Sequence, residues 1–305
     1  MSFFILTMST IHYQQCPLCG SHDIEKALAT RDHSISGEAF DLCDCHGCGL
    51  RFTQNVPAPE QIGRYYQSEN YISHSDTKKG LINRLYHAAR DYMLRNKQQL
   101  VQNLSKQRRL LDVGCGTGYF MNHMRGQGYE VLGVEVDEGA RNFGIQQFGL
   151  DVRSPTELEA GTLPGKFGVI SMWHVLEHVY DPKLYLRRLH ELLEADGVLM
   201  IAVPNYTSKD GQKYAAHWAA YDVPRHLWHF SPRTLCSLAE EMGFQVVGKK
   251  GMPLDPFYVS LLSEKYRGRG MLALPLGAWS GLRSFLSSLN RPEKASSIIY
   301  ILKKA

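Results

Sequence analysis

Apolar residues recur along the chain in two rhythms. From Leu81 to Leu104 the positions Leu81, Leu85, Tyr92, Met93, Leu100 and Leu104 repeat at helical spacing with basic residues between them, which predicts an amphipathic helix. From Arg109 onward short apolar runs alternate with helical segments. Strands are expected near 110–113, 130–135, 150–153, 167–172 and 196–203, with closing strands at 244–248 and 297–302. Asp181-Pro182 and Ser231-Pro232 each place a capping side chain before a proline suited to a first helical turn. This alternation predicts an α/β fold with a doubly wound parallel sheet. Pro57-Ala-Pro59 reads as a boundary. The expected division is therefore an N-terminal unit over 1–57, a helical linker or cap over 58–108 and the α/β domain over 109–305.

Within the sheet pattern, Leu110-Leu-Asp-Val-Gly-Cys-Gly-Thr-Gly-Tyr-Phe120 is a strand that runs into Gly114, Cys115, Gly116 and Gly118 and opens a helix at Tyr119. Glycines there let the backbone turn tightly and approach a ligand. Glu135 ends the next strand, 21 positions after Gly114, where a carboxylate can accept both hydroxyls of a ribose. The spacing is G-x-G-x-G, not the G-x-G-x-x-G that brings a helix N-terminus onto a pyrophosphate. Asp112 before the loop would repel phosphate but suits the ammonium of an amino acid. Together these features favour S-adenosylmethionine over a dinucleotide.

These residues resemble the class I S-adenosylmethionine-dependent methyltransferases, whose fold is Rossmann-like. The resemblance extends through Phe167-Gly-Val-Ile-Ser-Met-Trp-His-Val-Leu-Glu-His178, similar to the ubiquinone-pathway O-methyltransferase group, and through Gly197-Val-Leu-Met-Ile-Ala-Val-Pro204. Tyr65–Tyr71, Asp222–His226 and Phe257–Lys265 look like a bacterial subgroup with an N-terminal zinc ribbon. The resemblance implies that Asp112, Gly114, Gly116 and Glu135 hold the cofactor and that Val136 and Trp173 lie near the adenine; His174 is expected beside the cofactor, with Glu177 and His178 fixing the local helix and loop. Tyr65, Tyr66 and Tyr71 could close over it or be linker residues. His174-Val-Leu-Glu-His178 also matches H-x-x-E-H, but only about two turns of helix are expected there before Asp181-Pro182, too few for a zinc protease. The related group often has Glu-x-x-Glu-His and a divalent cation at this stretch; His174 in place of the first Glu argues against an oxygen-rich Mg²⁺ site.

Seven cysteines, five of them before residue 50, change the picture of the N-terminal unit. Cys16-x2-Cys19 and Cys45-x2-Cys48, each followed by Gly, have the spacing of a closed tetrahedral zinc site. Cys43 is an extra thiol expected to point away from it. Methyl transfer requires a base only when the acceptor must lose a proton, and His178, His226 and His229 are the candidates, with Arg225 beside them in an inserted loop.

Composition is that of a globular protein: 44% hydrophobic, 21% charged and 10% aromatic residues. No apolar run reaches the ~20 residues of a membrane span. Met1–Met8 lacks the features of a signal peptide, which predicts a cytoplasmic protein, with Met8 as an alternative start. The net charge of +4 hides two basic segments, Lys78–Arg109 at +8 and Phe244–Ala305 at +7, against −11 elsewhere. These suggest an anionic substrate, nucleic acid or a membrane surface. Three functions compete: a methyltransferase for a small or lipid-linked acceptor, most simply O-methylating; an RNA or DNA modifier using the ribbon and basic helix; and a cofactor-binding scaffold without turnover. Strand four ends in Ser-Met-Trp-His, unlike the Asn-Pro-Pro-Tyr loop of base amino-group methylators, which disfavours the second. The segment Lys265–Leu289, basic then apolar, could dock at a membrane or close the fold as a helix pair.

Overall fold

The computed structural model describes residues 10–66 and 81–305, so the expectations for Met1–Met8 and Tyr71 lie outside the described residues. The N-terminal unit comprises strands β1 (Thr10–Ile11), β2 (Ile24–Arg31), β3 (Ala39–Cys45), β4 (Arg51–Thr53) and β5 (Val56–Pro57). Helix α1 (Leu81–Leu104) follows. The α/β domain then runs β6 (Arg109–Val113), α2 (Tyr119–Arg125), β7 (Glu130–Val134), α3 (Glu138–Phe148), β8 (Val152–Arg153), α4 (Pro155–Ala160), β9 (Phe167–Trp173), α5 (Pro182–Leu192) and β10 (Leu193–Pro204). It closes with α6 (Lys209–Tyr214), β11 (Trp228–His229), α7 (Pro232–Glu241), β12 (Phe244–Gly251), α8 (Asp255–Tyr266), α9 (Ala273–Ser288) and β13 (Ser297–Lys304).

Seven strands form one sheet in the order β12-β13-β10-β9-β6-β7-β8. All neighbours are parallel except β13, which runs antiparallel to both β10 and β12. Every side chain of β9 is buried, as expected for a central parallel strand covered on both faces. Alternation along β6 divides two core layers: Leu111 and Val113 share one with Leu186 and Leu189 of α5, and Leu110 shares the other with Val101 of α1 and Met124 of α2. The chain reverses direction across the sheet between β6 and β9, and ligands of such sheets bind at the carboxyl ends of the strands there.

The N-terminal unit is not a bead on a string. Its antiparallel sheet, in the order β11-β4-β3-β2, takes its outer strand from Trp228–His229 in the loop after β10. Buried Phe52 and Leu50 belong to the same core as Leu235 and Leu238 of α7. Both expected caps form: Asp181 accepts the N–H of Leu184 at 2.8 Å and Ser231 that of Thr234 at 3.2 Å. A third, Ser154 before Pro155, escaped the sequence reading.

Candidate active site

At the end of β6 the three glycines all have positive φ, but they serve different ends. A Cβ at Gly114 would sit 2.2 Å from Val175 Cγ2, and one at Gly118 2.5 Å from Leu150 Cδ1. Those two glycines make room for the protein itself. Gly116 faces open space, and its N–H donates to Glu135 Oε2 at 2.7 Å. Glu135 Oε1 accepts the N–H of Asp137 at 2.9 Å, so this buried carboxylate braces the loop and still keeps a lone pair on each oxygen. Val136 beside it is 76% exposed, an apolar edge of the open side. Cys115 is expected at the cofactor, but its thiol packs with Met121, Leu150 and Val152 against Gly133, so only its backbone faces the loop. Tyr119 opens α2 and packs edge-on against Phe148.

Asp112 is buried, and Ser171 Oγ donates to its Oδ1 at 2.6 Å. Burial pushes its carboxyl up to about 6, against the opposing pull of Ser171 and of Lys97. Trp173 lies under the Lys97 ammonium, 4.3 Å from the ring centroid, and among the described residues its buried indole N–H has no partner.

His174–His178 is a turn, not the expected two turns of helix. His174 takes φ +58°, donates its backbone N–H to Ala202 and ends β9 in a left-handed conformation that no helix continues. Its ring bridges two acids, Asp255 Oδ2 at 3.0 Å and Glu177 Oε1 at 3.3 Å. Burial works against the imidazolium, but these partners outweigh it and raise the group to about 10. His178 is the opposite case: burial and the neighbouring His226 hold it down to about 4. Its Nδ1–H donates to the Arg225 carbonyl at 3.0 Å, with the Tyr66 hydroxyl 3.1 Å from the same nitrogen. The His226 Nδ1–H donates to the Ala220 carbonyl at 2.9 Å. A carbonyl can only accept, so the tautomer each of these bonds selects leaves Nε2 as the ring's lone-pair atom. Glu177, His178 and His226 present donor atoms within 4.8 Å of one another, and Glu177 Oε2 has no partner among the described residues. Two imidazoles and one carboxylate suit a transition metal better than Mg²⁺.

Two expected residues fall elsewhere. His229 lies in the ribbon sheet, its Nε2 3.1 Å from Thr53 Oγ1 and its ring edge-on to Tyr221. Arg225 is 1% exposed and spends four of its five N–H donors inside the fold: two on Asp222, one on Asp32 and one on the Tyr65 carbonyl. It is a tie between the ribbon and the inserted loop, not an anion receptor. Tyr65 itself is buried and bonded to Glu38.

In the ribbon, Cys16 Sγ lies 3.6 Å from Cys48 Sγ and Cys19 Sγ 3.6 Å from Cys45 Sγ. A tetrahedron of sulfurs ~2.3 Å from zinc has edges of about 3.8 Å. Gly20 and Gly49, both at positive φ, donate their N–H groups to the Cys16 and Cys45 carbonyls at 2.8 Å, so the two knuckles are built alike. Cys43 shares a strand face with Cys45, contrary to the expectation that it points away. It stays outside the four-sulfur cluster because two residues of strand advance ~6.6 Å.

A family model described as methyltransferase domain matches residues 85–249, more than half of the chain. The chain belongs to the methyltransferase domain family. It is similar to the ubiquinone biosynthesis O-methyltransferases of Ruegeria pomeroyi, at 31% identity over 163 residues, and of Cereibacter sphaeroides, at 32% over 161. Each match covers 48% of this chain and 64% of the relative, so the chain spans under two thirds of those proteins. Among solved structures, a putative sarcosine dimethylglycine methyltransferase from Galdieria sulphuraria has the same fold, with a TM-score of 0.50 and 16% identity over 73% of this chain and 88% of that one.

Two residues of this methyltransferase-family site were not anticipated. Lys97 stands four residues after Met93 and three before Leu100, a cation within the apolar stripe of α1, and that misfit was its signal in the sequence. Burial lowers its ammonium to about 8, against the pull of Asp112 and Asp255. Asp255 reaches His174 from the start of α8, 81 residues away, and no local pattern marks it.

Proposed function

We propose that this chain transfers a methyl group from S-adenosylmethionine to a hydroxyl of a small or lipid-linked acceptor. The observation that carries the reading is Glu135, buried at the end of β7, bonded to the open-faced Gly116 and flanked by exposed Val136. When bound, the cofactor supplies a sulfonium methyl group for in-line displacement. The residues present fit it: Glu135 retains lone pairs for ribose hydroxyls, Asp112 offers a carboxylate to an ammonium, and Lys97 and the Trp173 indole N–H offer donors to a carboxylate. The names of the O-methyltransferase relatives support oxygen as the acceptor atom. His178, held neutral, would take the hydroxyl proton at Nε2, with His226 beside it.

We assign one structural zinc ion to Cys16, Cys19, Cys45 and Cys48; four thiolate ligands fit a reducing, cytoplasmic setting. The working division is a ribbon over 1–57, a helical cap over 58–108 and the methyltransferase domain over 109–305, with β11 reaching back to the ribbon.

Calorimetry with S-adenosylhomocysteine tests the cofactor site. Binding is expected, with none for NAD⁺, and Glu135→Ala should weaken it tenfold to about a hundredfold, the worth of hydrogen bonds to a charged group at ~1.5–3 kcal/mol. Silence with this ligand would overturn the reading.

The acceptor is tested by incubating the protein with methyl-labelled S-adenosylmethionine and a fractionated cell extract. Label is expected in small or lipid molecules, and His178→Ala should lower it by about 10² or more while leaving homocysteine-ligand affinity unchanged. Label recovered in RNA instead would reject the acceptor class.

A further inference from the structure

The α8–α9 hairpin is built inside out. Ala273, Gly277, Ser280, Gly281 and Ser284 form the buried face of α9. A Cβ at Gly277 would lie 2.7 Å from Leu261 Cα, and one at Gly281 2.7 Å from Phe257 Cα, so the two helices meet backbone to backbone. Small residues make the contact and the large apolar ones point outward. Met271 is 97% exposed and Trp279 60%; Leu272, Leu274, Leu286 and Leu289 are each more than half exposed. Eight of the thirteen exposed large apolar side chains among the described residues fall between Met271 and Leu289. Such a concentration marks an interaction surface rather than the usual scatter.

Charge decides what covers it. Lys265, Arg267 and Arg269 precede the face, Arg283 interrupts it, and Arg291 and Lys294 follow it, against Glu293 as the one acid from 265 to 294. Glu264 is turned into the fold, bonded to Tyr214, with Lys213 at 3.3 Å and the exposed Arg269 at 3.9 Å, while Arg267 folds back to donate to the Lys213 carbonyl at 2.7 Å. A second copy seated on this face about a two-fold axis would set one ring of cations against another. An anionic lipid surface matches both the apolar centre and the basic rim. The helix has 16 residues, too short to cross a bilayer, which leaves it lying in the interface.

We propose that the outer face of α9 docks the protein on an anionic membrane, with Trp279, Leu274 and Leu286 in the acyl boundary and Lys265, Arg269, Arg283, Arg291 and Lys294 over lipid phosphates. Helix α8, on which α9 lies, begins at Asp255, the partner of His174, so docking brings the candidate site to the membrane. The docking stands whatever the acceptor proves to be.

The test uses the full chain with vesicles of phosphatidylcholine, alone or with about 30% phosphatidylglycerol. Of the four tryptophans, Trp173, Trp218 and Trp228 are buried, so a vesicle-induced blue shift of fluorescence reads Trp279. Flotation with anionic vesicles and a blue shift are expected, both weakened at least tenfold in ~0.5 M salt, since each rim cation strengthens attachment roughly fivefold at low salt. Leu274→Asp with Leu286→Asp should abolish flotation while homocysteine-ligand binding is unchanged, which shows the variant folded. Trp279→Phe should float without the shift. No flotation of the parent protein, or undiminished flotation of the double variant, would overturn the proposal. So would a lipid-free dimer that the double variant dissolves, because a second copy would then own the face.

Discussion

Replacing Arg225 with alanine should cost the folded chain about 3–5 kcal/mol, read as a fall in the urea midpoint at neutral pH. The guanidinium is 1% exposed and Asp32 is fully buried, so removing the cation strands a carboxylate that water cannot reach. Asp32 keeps the backbone N–H groups of Ser34, Ile35 and Ser36 and the Ser36 hydroxyl, which places the loss at the lower end of that range. Arg225→Lys cannot span both carboxylates and the Tyr65 carbonyl with one point charge, and should recover only part. Arg225→Leu with Asp32→Asn, which leaves without its cation only Asp222, whose side chain is 24% exposed, should be more stable than Arg225→Ala. The acid limb has a defined sign. Burial opposes ionisation of Asp32 and Asp222, yet Arg225 holds both below the usual carboxylate range. A lowered folded value means that the contribution is complete above the unfolded value of about 4 and is lost as pH falls through the folded values. The variant should therefore show a flatter acid limb than the parent. A loss under ~1 kcal/mol would show that the triad does not join the two units.

That triad was hidden in the sequence because its members, Asp32, Asp222 and Arg225, are scattered over almost 200 positions and only the tertiary fold brings them together. What the sequence made legible was local or doubly buried. Phe167–Trp173 reads as a strand since both its faces are covered, and the cysteine knuckles carry their own turn glycines. What was missed or misread has physical reasons. His174–His178 has apolar and polar residues at helical spacing, but the left-handed His174 turns it into the corner that presents Glu177 and His178. Strand β2 exposes one whole face, Glu25, Ala27, Ala29 and Arg31, and its other face sets Lys26 between Ile24 and Leu28, so no apolar period marks it. His229 looked like a loop histidine because the strand it belongs to pairs with Arg51, far upstream. The glycine loop was legible as a binding loop, yet only geometry separates Gly116, which faces open space, from Gly114 and Gly118, which accommodate Val175 and Leu150.

Removing zinc should have the larger effect. Elemental analysis of the purified chain is expected to give one zinc per molecule, and the metal should resist mild chelators because four thiolates close the coordination shell. Apparent binding free energies of structural zinc run to ~10–16 kcal/mol in isolated fingers, where metal supplies nearly all the folding energy. Here Phe52, Leu50 and Val56 also pack into the main core, so part of the ribbon's stability is independent of the ion. A loss of at least ~4 kcal/mol follows, roughly 6 °C or more in the thermal midpoint of a chain this long. The damage should spread unequally. Strand β11 pairs with β4 of the ribbon and directly follows the segment that carries Arg225 and His226, whereas the glycine loop and Glu135 follow β6 and β7, which pair with no ribbon strand. Chelation, or Cys16→Ser with Cys45→Ser, should therefore disorder the histidine loop and abolish methyl transfer while homocysteine-ligand affinity falls less than tenfold. A chain that is purified without zinc and is indifferent to chelators would remove the ion from the assignment. Equal loss of ligand binding and methyl transfer would show instead that ribbon and cofactor loop unfold as one unit.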